Sequence, residues 1–251
     1  MQRFFVPRET LASKQVKMEG DTARQISRVL RMQPGERVCL LDGTGYEYVV
    51  TLTALGKDDV KGEIIEKRQG TSEPACQITL YLSLLNKADK FEWALQKCTE
   101  VGAAAFVPVR AARSVSDVPG TGKVERWERI IQEAAEQSGR AVIPALGKTL
   151  TLAQAFDVEA ARLRESTSGK QIAIMPALGA TRSMSETLRE AEPESISIIV
   201  GPEGGFTGEE MQAAESAGIL LVTLGARTLR AETAAVVALT MALYELGEMG
   251  R

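Results

Sequence analysis

The sequence contains no histidine. A Ser-His-Asp triad, an HExxH zinc site and a histidine general base are therefore excluded. Cysteine is scarce: Cys39, Cys76 and Cys98 are odd in number and far apart. That usage points to a reducing, cytoplasmic setting without a disulfide framework, and without clustered Cys or His no metal site is expected. Long apolar runs are also missing. None approaches the ~18 residues of a membrane span, and the start MQRFFVPRET lacks the basic region and apolar core of a signal peptide. What remains is an ordinary folding composition, 44% hydrophobic over 251 residues with a formal charge of -3. That length implies one large domain or two unequal ones.

The near-neutral total hides an uneven distribution. Residues 1–37 carry eight basic side chains against four acidic ones, and residues 151–251 carry eight against fourteen. Gripping a nucleic acid needs a local basic surface rather than a basic average. The first segment supplies Arg3, Arg8, Lys14, Lys17, Arg24, Arg28 and Arg31. A solvated surface with ordinary scatter gives the same count.

Residues 1–73 read as short strands around one helix. Arg3–Val6, Arg37–Leu41, Tyr46–Leu55 and Val60–Glu66 are strand-like, and Asp42-Gly43-Thr44-Gly45 is a hairpin signal. Asp21 is the expected N-cap of a helix running to Arg31, with Ile26, Val29 and Leu30 on its apolar side. The polar stretch Gln69–Pro74 marks a domain boundary. Beyond it strands and helices alternate, and the strands are continuously apolar: Gln77–Leu85, Ala104–Val109, Gln171–Met175, Ile196–Val200 and Leu220–Leu224. This is the pattern of an α/β domain with a parallel sheet buried on both faces. Helices are expected over 89–101, where Phe91, Trp93, Ala94, Leu95 and Cys98 form the apolar side, and over 123–138, 152–163, 184–191, 209–217 and 232–246. Gly120-Thr121-Gly122-Lys123 resembles half a phosphate loop but lacks the leading glycine and the following Ser or Thr, so it reads as a helix start. The last helix is apolar nearly all round, which fits either a central core helix or a subunit interface.

In a parallel sheet, ligands bind beyond the carboxyl ends of the strands. Three such ends carry unusual loops: 176–179, 201–206 and 225–233. The second, Gly201-Pro202-Glu203-Gly204-Gly205-Phe206, combines a proline with three glycines that permit close backbone approach to a ligand. Thr207 and Glu210 then form a capping box. The pattern is neither GxGxxG nor GxxxxGK[ST], and the Glu203 charge would repel a phosphate. A ligand with hydroxyls, amino groups or positive charge fits better.

These loops carry a resemblance. GPEGGF followed by LGARTLRAETA is similar to the C-terminal signature of the ribosomal RNA small-subunit methyltransferase E family, a branch of the SPOUT methyltransferases. The resemblance extends through Arg3-Phe4-Phe5, Arg28-Val29-Leu30-Arg31, Asp42-Gly43-Thr44-Gly45, Lys87 with Lys97 and Glu100, Arg113-Ser114, and Glu136-Gln137-Ser138 with Arg140. It departs at Gln25-Ile26, where many members carry histidine. It implies a PUA-like RNA-binding domain over 1–73 and a SPOUT domain with a trefoil knot over 74–251. It also implies a homodimer, S-adenosylmethionine as methyl donor, and methylation of uridine N3 in 16S ribosomal RNA during ribosome biogenesis. By resemblance the cofactor is held by Leu178, Gly201, Glu203, Gly205, Leu224, Gly225 and Leu229, and Arg230 steadies the deprotonated uracil. RNA contacts fall to Arg3, Arg24, Arg28, Arg31, Arg113 and Arg140. Methyl transfer from a sulfonium needs alignment and exclusion of water, not a metal, which is compatible with a chain without histidine. The sequence names no base for uracil N3. Glu232 and Thr233 read equally as helix caps. A related enzyme acting on transfer RNA and a non-catalytic RNA- or ligand-binding protein are the alternatives.

Overall fold

The structure, a computed structural model, describes residues 1–166 and 169–250. The chain divides into two units: Met1–Glu73 with Ala135–Ile143, and Pro74–Ala134 with the chain from Pro144 onward. No helix among the described residues is long and apolar enough to cross a membrane.

The first unit is a five-stranded sheet in the order β1-β3-β4-β5-β2. Its strands are β1 (Gln2–Phe5), β2 (Gln15–Glu19), β3 (Arg37–Leu41), β4 (Tyr46–Leu55) and β5 (Asp59–Gln69). β1 runs parallel to β3, and the other pairs are antiparallel. The expected hairpin joins β3 to β4. Asp42 accepts hydrogen bonds from the Thr44 N–H and hydroxyl, and Gly43 and Gly45 take the left-handed conformation. β2 is an additional strand, not among those expected, although Val16 and Met18 alternate with charged residues and are the buried pair. Phe4, Val16, Met18, Ile26, Val38, Leu40, Val50, Leu52 and Val60 make one core. Alternation along β3 sends Cys39 and Leu41 to the opposite face, where Ala141 and Phe5 cover them. Residues 135–143 are held in this unit by polar contacts as well. Glu136 accepts the Phe5 N–H at 3.0 Å, and Glu73 accepts those of Ala141 and Val142 at 2.9 and 3.1 Å.

The helix expected over 21–31 is shorter than its pattern implies. α1 covers Gly20–Arg24, and one wide turn follows over Gln25–Val29, closed by the Leu30 N–H on the Gln25 carbonyl at 2.8 Å. The N-cap position belongs to Glu19, not Asp21, which pairs with Arg24 instead. The extra residue in the turn rotates the following side chains off the buried face. Ile26 stays in the core, whereas Val29 is 73% exposed and Leu30 is exposed too. Arg31 is left-handed at φ 52°.

The second unit contains the predicted parallel sheet, in the order β12-β10-β11-β6-β7-β8, with β9 also on β7. Its strands are β6 (Gln77–Ser83), β7 (Ala105–Arg110), β8 (Ala145–Leu146), β9 (Leu150–Thr151), β10 (Gln171–Pro176), β11 (Ser195–Val200) and β12 (Leu220–Val222). Every pairing is parallel. The helices are α2 (Ala88–Val101), α3 (Thr121–Ser138, whose last turn belongs to the first unit), α4 (Leu152–Glu165), α5 (Met184–Ala191), α6 (Gly208–Ser216) and α7 (Ala231–Glu245). α2 buries Phe91, Ala94, Leu95 and Cys98 as expected, but Trp93 is exposed on its outer side. α7 buries one stripe, Ala231, Ala235, Ala238, Leu239, Ala242 and Leu243, against α2, α5 and the sheet. Its other side is only partly covered, and Tyr244 is 66% exposed.

All three cysteines are buried free thiols. Burial pushes their pKa values up, that of Cys76 to about 11, so none is a reactive thiolate near neutrality.

Candidate functional site

β10 lies between β11 and β12, and all three run the same way. Their carboxyl ends therefore open on one edge of the sheet, and the three unusual loops meet there. They enclose a cleft of about 540 Å³, within the size range of small-molecule sites. Leu178 lines it from the first loop, Gly201, Glu203 and Gly205 from the second, and Leu224, Gly225, Leu229 and Arg230 from the third. Every residue assigned to the cofactor by resemblance, and Arg230 with them, is thus brought to one cavity.

The second loop is rigid for local reasons. The Gly205 N–H closes a turn on the Pro202 carbonyl at 2.9 Å, with Gly205 at φ +65°. A Cβ there would meet nothing within 4 Å, so glycine is required by the backbone conformation, not by crowding. At Gly201 the reason is packing: an added Cβ would lie 3.0 Å from the Phe206 ring, which is buried in the core. The expected capping box is present. Thr207 Oγ1 accepts from the Glu210 N–H at 3.1 Å, and Glu210 accepts from the Thr207 N–H at 2.8 Å. Glu210 also accepts the Ala112 N–H at 2.7 Å, while Arg113 Nη1 donates to the Gly204 carbonyl at 2.7 Å. The segment after β7 therefore braces the glycine loop.

Charge in the cleft and just behind it is mixed, and of Glu203, Asn86, Lys90 and Glu232 only Glu203 lines the cavity. The Glu203 carboxylate accepts the Asn86 N–H at 3.2 and 3.4 Å. Lys90 Nζ stands 3.9 Å from Glu203 and 3.7 Å from Glu232. Asn86 and Lys90 arrive because β6 pairs with β11, which places the loop after β6 beside the loop after β11. Neither residue carries a local motif, so the sequence pattern does not reveal them. Arg230 occupies the N-cap position of α7 without a side-chain cap bond, and it is exposed. Thr233 forms no cap there either.

The arginines expected at RNA separate into groups. Arg113 lines the cleft with its guanidinium committed to the Gly204 carbonyl. Arg140 is 4% exposed and forms an ion pair with Glu73 at 2.6 Å. A phosphate cannot reach a guanidinium enclosed in this way, so its place is structural. Arg3 is bound to Glu47 at 2.5 Å, where Arg68 joins them at 2.9 Å. Arg24, Arg28 and Arg31 are exposed, Arg24 paired with Asp21 and Arg28 lying 3.7 Å from Asp58. No group of His, Cys, Asp and Glu among the described residues has the arrangement of a metal site.

Comparison with known proteins supplies a family for this geometry. Residues 71–243 match the model of an RNA methyltransferase domain, and residues 19–65 match that of an RNA methyltransferase PUA domain. Ribosomal RNA small subunit methyltransferase E of Bacillus subtilis is 33% identical, the match covering 98% of this chain and 97% of that one. The crystal structure of the enzyme of that name from Neisseria gonorrhoeae, bound to S-adenosyl methionine, superposes with a TM-score of 0.86 at 30% identity over 97% of both chains. A putative methyltransferase from Legionella pneumophila, in complex with the same cofactor, gives a TM-score of 0.84 at 26% identity over 96% of both.

Proposed function

Because the chain belongs to the ribosomal RNA small subunit methyltransferase E family, we propose that it transfers a methyl group from S-adenosylmethionine to N3 of a uridine in 16S ribosomal RNA of the small subunit. The observation that carries this reading is the convergence of the three loops on one cleft. Its walls are largely backbone and apolar side chains, with Arg113, Arg227 and Arg230 at the cleft as well, and its fixed carboxylate is Glu203. That donor set fits S-adenosylmethionine. The ligand is cationic at sulfur and amino nitrogen and carries no phosphate, so the loop needs no lysine and tolerates an acidic residue.

Leu178, Leu224 and Leu229 supply apolar contacts to the cofactor, and Gly201, Gly205 and Gly225 allow close approach of the backbone. When bound, the cofactor supplies an activated methyl group. The protein's part is to align the acceptor, exclude water and steady charge on the uracil, the last through Arg230. The PUA-like unit offers Arg24, Arg28 and Arg31 to phosphates, which position the RNA while the cleft selects the base. We further assign to the protein the family's homodimer, with the partly covered side of α7 at the interface, its trefoil knot, and a cytoplasmic role in ribosome biogenesis. Light scattering at micromolar concentration should report twice the 27.1 kDa chain mass, and a mass of one chain would exclude the dimer.

Methyl incorporation into purified small subunits, with transfer RNA as control and nucleoside mass spectrometry of the product, tests the reading. Incorporation at uridine N3 of the small-subunit RNA is expected. Methylation of transfer RNA alone, or cofactor binding without transfer to any RNA, would replace it.

A further inference from the structure

The wide turn after α1 presents an unusual surface. Arg28, Val29, Leu30 and Arg31 are consecutive and all exposed, Val29 to 73% and Leu30 to 38%. The backbone holds them there. The Leu30 N–H closes on the Gln25 carbonyl at 2.8 Å and the Met32 N–H on the Ile26 carbonyl at 3.0 Å, while the Ile26 side chain is anchored in the core. A single exposed apolar residue needs no explanation. Two branched ones in succession, bracketed by arginines and held outward by a hydrogen-bonded turn, form a contact surface.

The conformation of Arg31 is a second observation. It is left-handed at φ 52°, in a place after a helix end where glycine is the usual residue. A residue with a Cβ is disfavoured there, so the arginine stands against the preference of the backbone, and such positions cluster where a side chain is needed for function. Arg31 enters no ion pair among the described residues. Arg28 donates to the Lys57 carbonyl at 3.4 Å and lies 3.7 Å from Asp58, an exposed carboxylate between β4 and β5. That pair is open to solvent and weak, and Lys57 adds a further exposed cation beside it.

Charge and apolar surface together select the occupant. It must bring negative charge at intervals, with apolar surface between. A stretch of unpaired nucleotides does this, offering phosphates to the arginines and a base face to the apolar pair, whereas a duplex keeps its base faces stacked inside. We propose that the Arg28–Arg31 tip holds an unpaired stretch of the substrate RNA, with Arg28 and Arg31 on phosphates and Val29 and Leu30 packed on an exposed base. This rests on the reading of the protein as one that methylates ribosomal RNA. It adds to the phosphate contacts a selection for single-stranded over paired RNA, made by side chains that carry no charge.

The test titrates the full chain with oligouridine, with a duplex of oligouridine and oligoadenosine, and with protein-free 16S ribosomal RNA, each over a range of salt. Val29→Ser combined with Leu30→Ser should lose roughly tenfold in affinity for oligouridine and far less for the duplex. The salt slope should stay as it was, because no charge is removed. The melting midpoint and S-adenosylmethionine affinity should not move, since both residues are exposed. Arg31→Gly should show the opposite signature. Its salt slope should fall by about 0.7, while its melting midpoint does not fall, because glycine suits the left-handed backbone. Unchanged oligouridine affinity in the double variant, or an equal loss on the duplex, overturns the proposal. Weaker binding to intact small subunits with unchanged affinity for the protein-free RNA would put a ribosomal protein on the tip, and a smaller mass in solution would put a second copy of this chain there; each also overturns it. All these outcomes leave the methyltransferase reading intact. If the unaltered protein methylates no RNA, that reading falls and the proposal with it.

Discussion

The first unit and the cleft of the second use their charges in different ways. In the first, arginines close on carboxylates of the same unit: Arg140 on Glu73, Arg3 and Arg68 on Glu47, Arg24 on Asp21. In the second, the residues around the cleft leave capacity unused, with Arg230 exposed at a helix start and Glu232 Oε2 buried without a donor. A charge enclosed with its partner, as Arg140 is, serves the fold, whereas an exposed one stays within reach of a ligand. An excess of arginine in a segment therefore says little until its partners are known, and four of the six arginines first expected at RNA turn out to have an acidic partner in their own unit.

The sharpest break in this contrast should come from Glu73→Gln. It takes the Glu73 carboxylate away from the enclosed Arg140, and breaking a buried pair costs about 3 kcal/mol. Hydrogen exchange should accelerate at Leu40 and Val50 in the first unit. Both tryptophans, Trp93 and Trp127, lie in the second unit, so the fluorescence unfolding transition should move far less. Equal shifts in the two signals would show that the units do not hold their stability separately.

Arg230→Ala addresses the open charges. Turnover should drop by roughly 100- to 1,000-fold, as when a donor to developing negative charge is removed. RNA affinity should remain nearly intact. A parallel loss of RNA binding and turnover would make Arg230 a docking residue instead.

Gly205→Val tests the backbone of the same cleft. The left-handed conformation at φ +65° costs a β-branched residue about 1–3 kcal/mol, so S-adenosylmethionine affinity should weaken roughly 10- to 100-fold in calorimetry with the protein still folded. Unchanged affinity would remove this loop from the binding site.

Smaller effects belong to the exposed arginines. Replacing Arg28 or Arg31 by Ala should weaken RNA binding modestly and lower the slope of log affinity against log salt by about 0.7–0.9 for each phosphate left unneutralised. Cofactor affinity should not change. A variant altered in turnover but not in salt dependence would contradict the division between units.

The mildest perturbation is pH. Burial works to raise the Glu47 pKa, but hydrogen bonds from Arg3 and Arg68 outweigh it and hold the carboxyl below its ordinary value. Its contribution to stability is therefore full above the unfolded carboxyl value of about 4.3 and is lost as pH falls through the lower folded value. Glu47→Gln should remove that acid-dependent part of the first unit's stability, and an unchanged pH profile would show that the Arg3–Glu47–Arg68 cluster does not contribute it.

Much of the architecture was legible because it is local. Continuous apolar runs at 171–175 and 196–200 announced buried parallel strands, and the Asp42–Gly45 turn announced its hairpin. Thr207 and Glu210 announced a helix start three residues apart, and zero histidine excluded whole classes of mechanism. The three loops could be nominated as a site because parallel strands end on one edge. What the pattern misjudged was also instructive. The periodicity of Ile26, Val29 and Leu30 fits a regular helix, yet one wide turn carries the last two to the surface.

The sequence by itself determined the strand and helix content, the parallel sheet and the residues offered at its carboxyl edge, since each depends on neighbours a few positions apart. The tertiary structure alone decided which distant groups meet. Pairing of β6 with β11 brings Asn86 and Lys90 to Glu203, 117 residues along the chain from Asn86, and the start of α7 brings Glu232 to the same lysine. Packing of Ala135–Ile143 into the first unit turned Arg140 from a candidate RNA contact into the partner of Glu73. Such meetings follow from strand order and from the burial of shared surfaces, which no local spacing encodes.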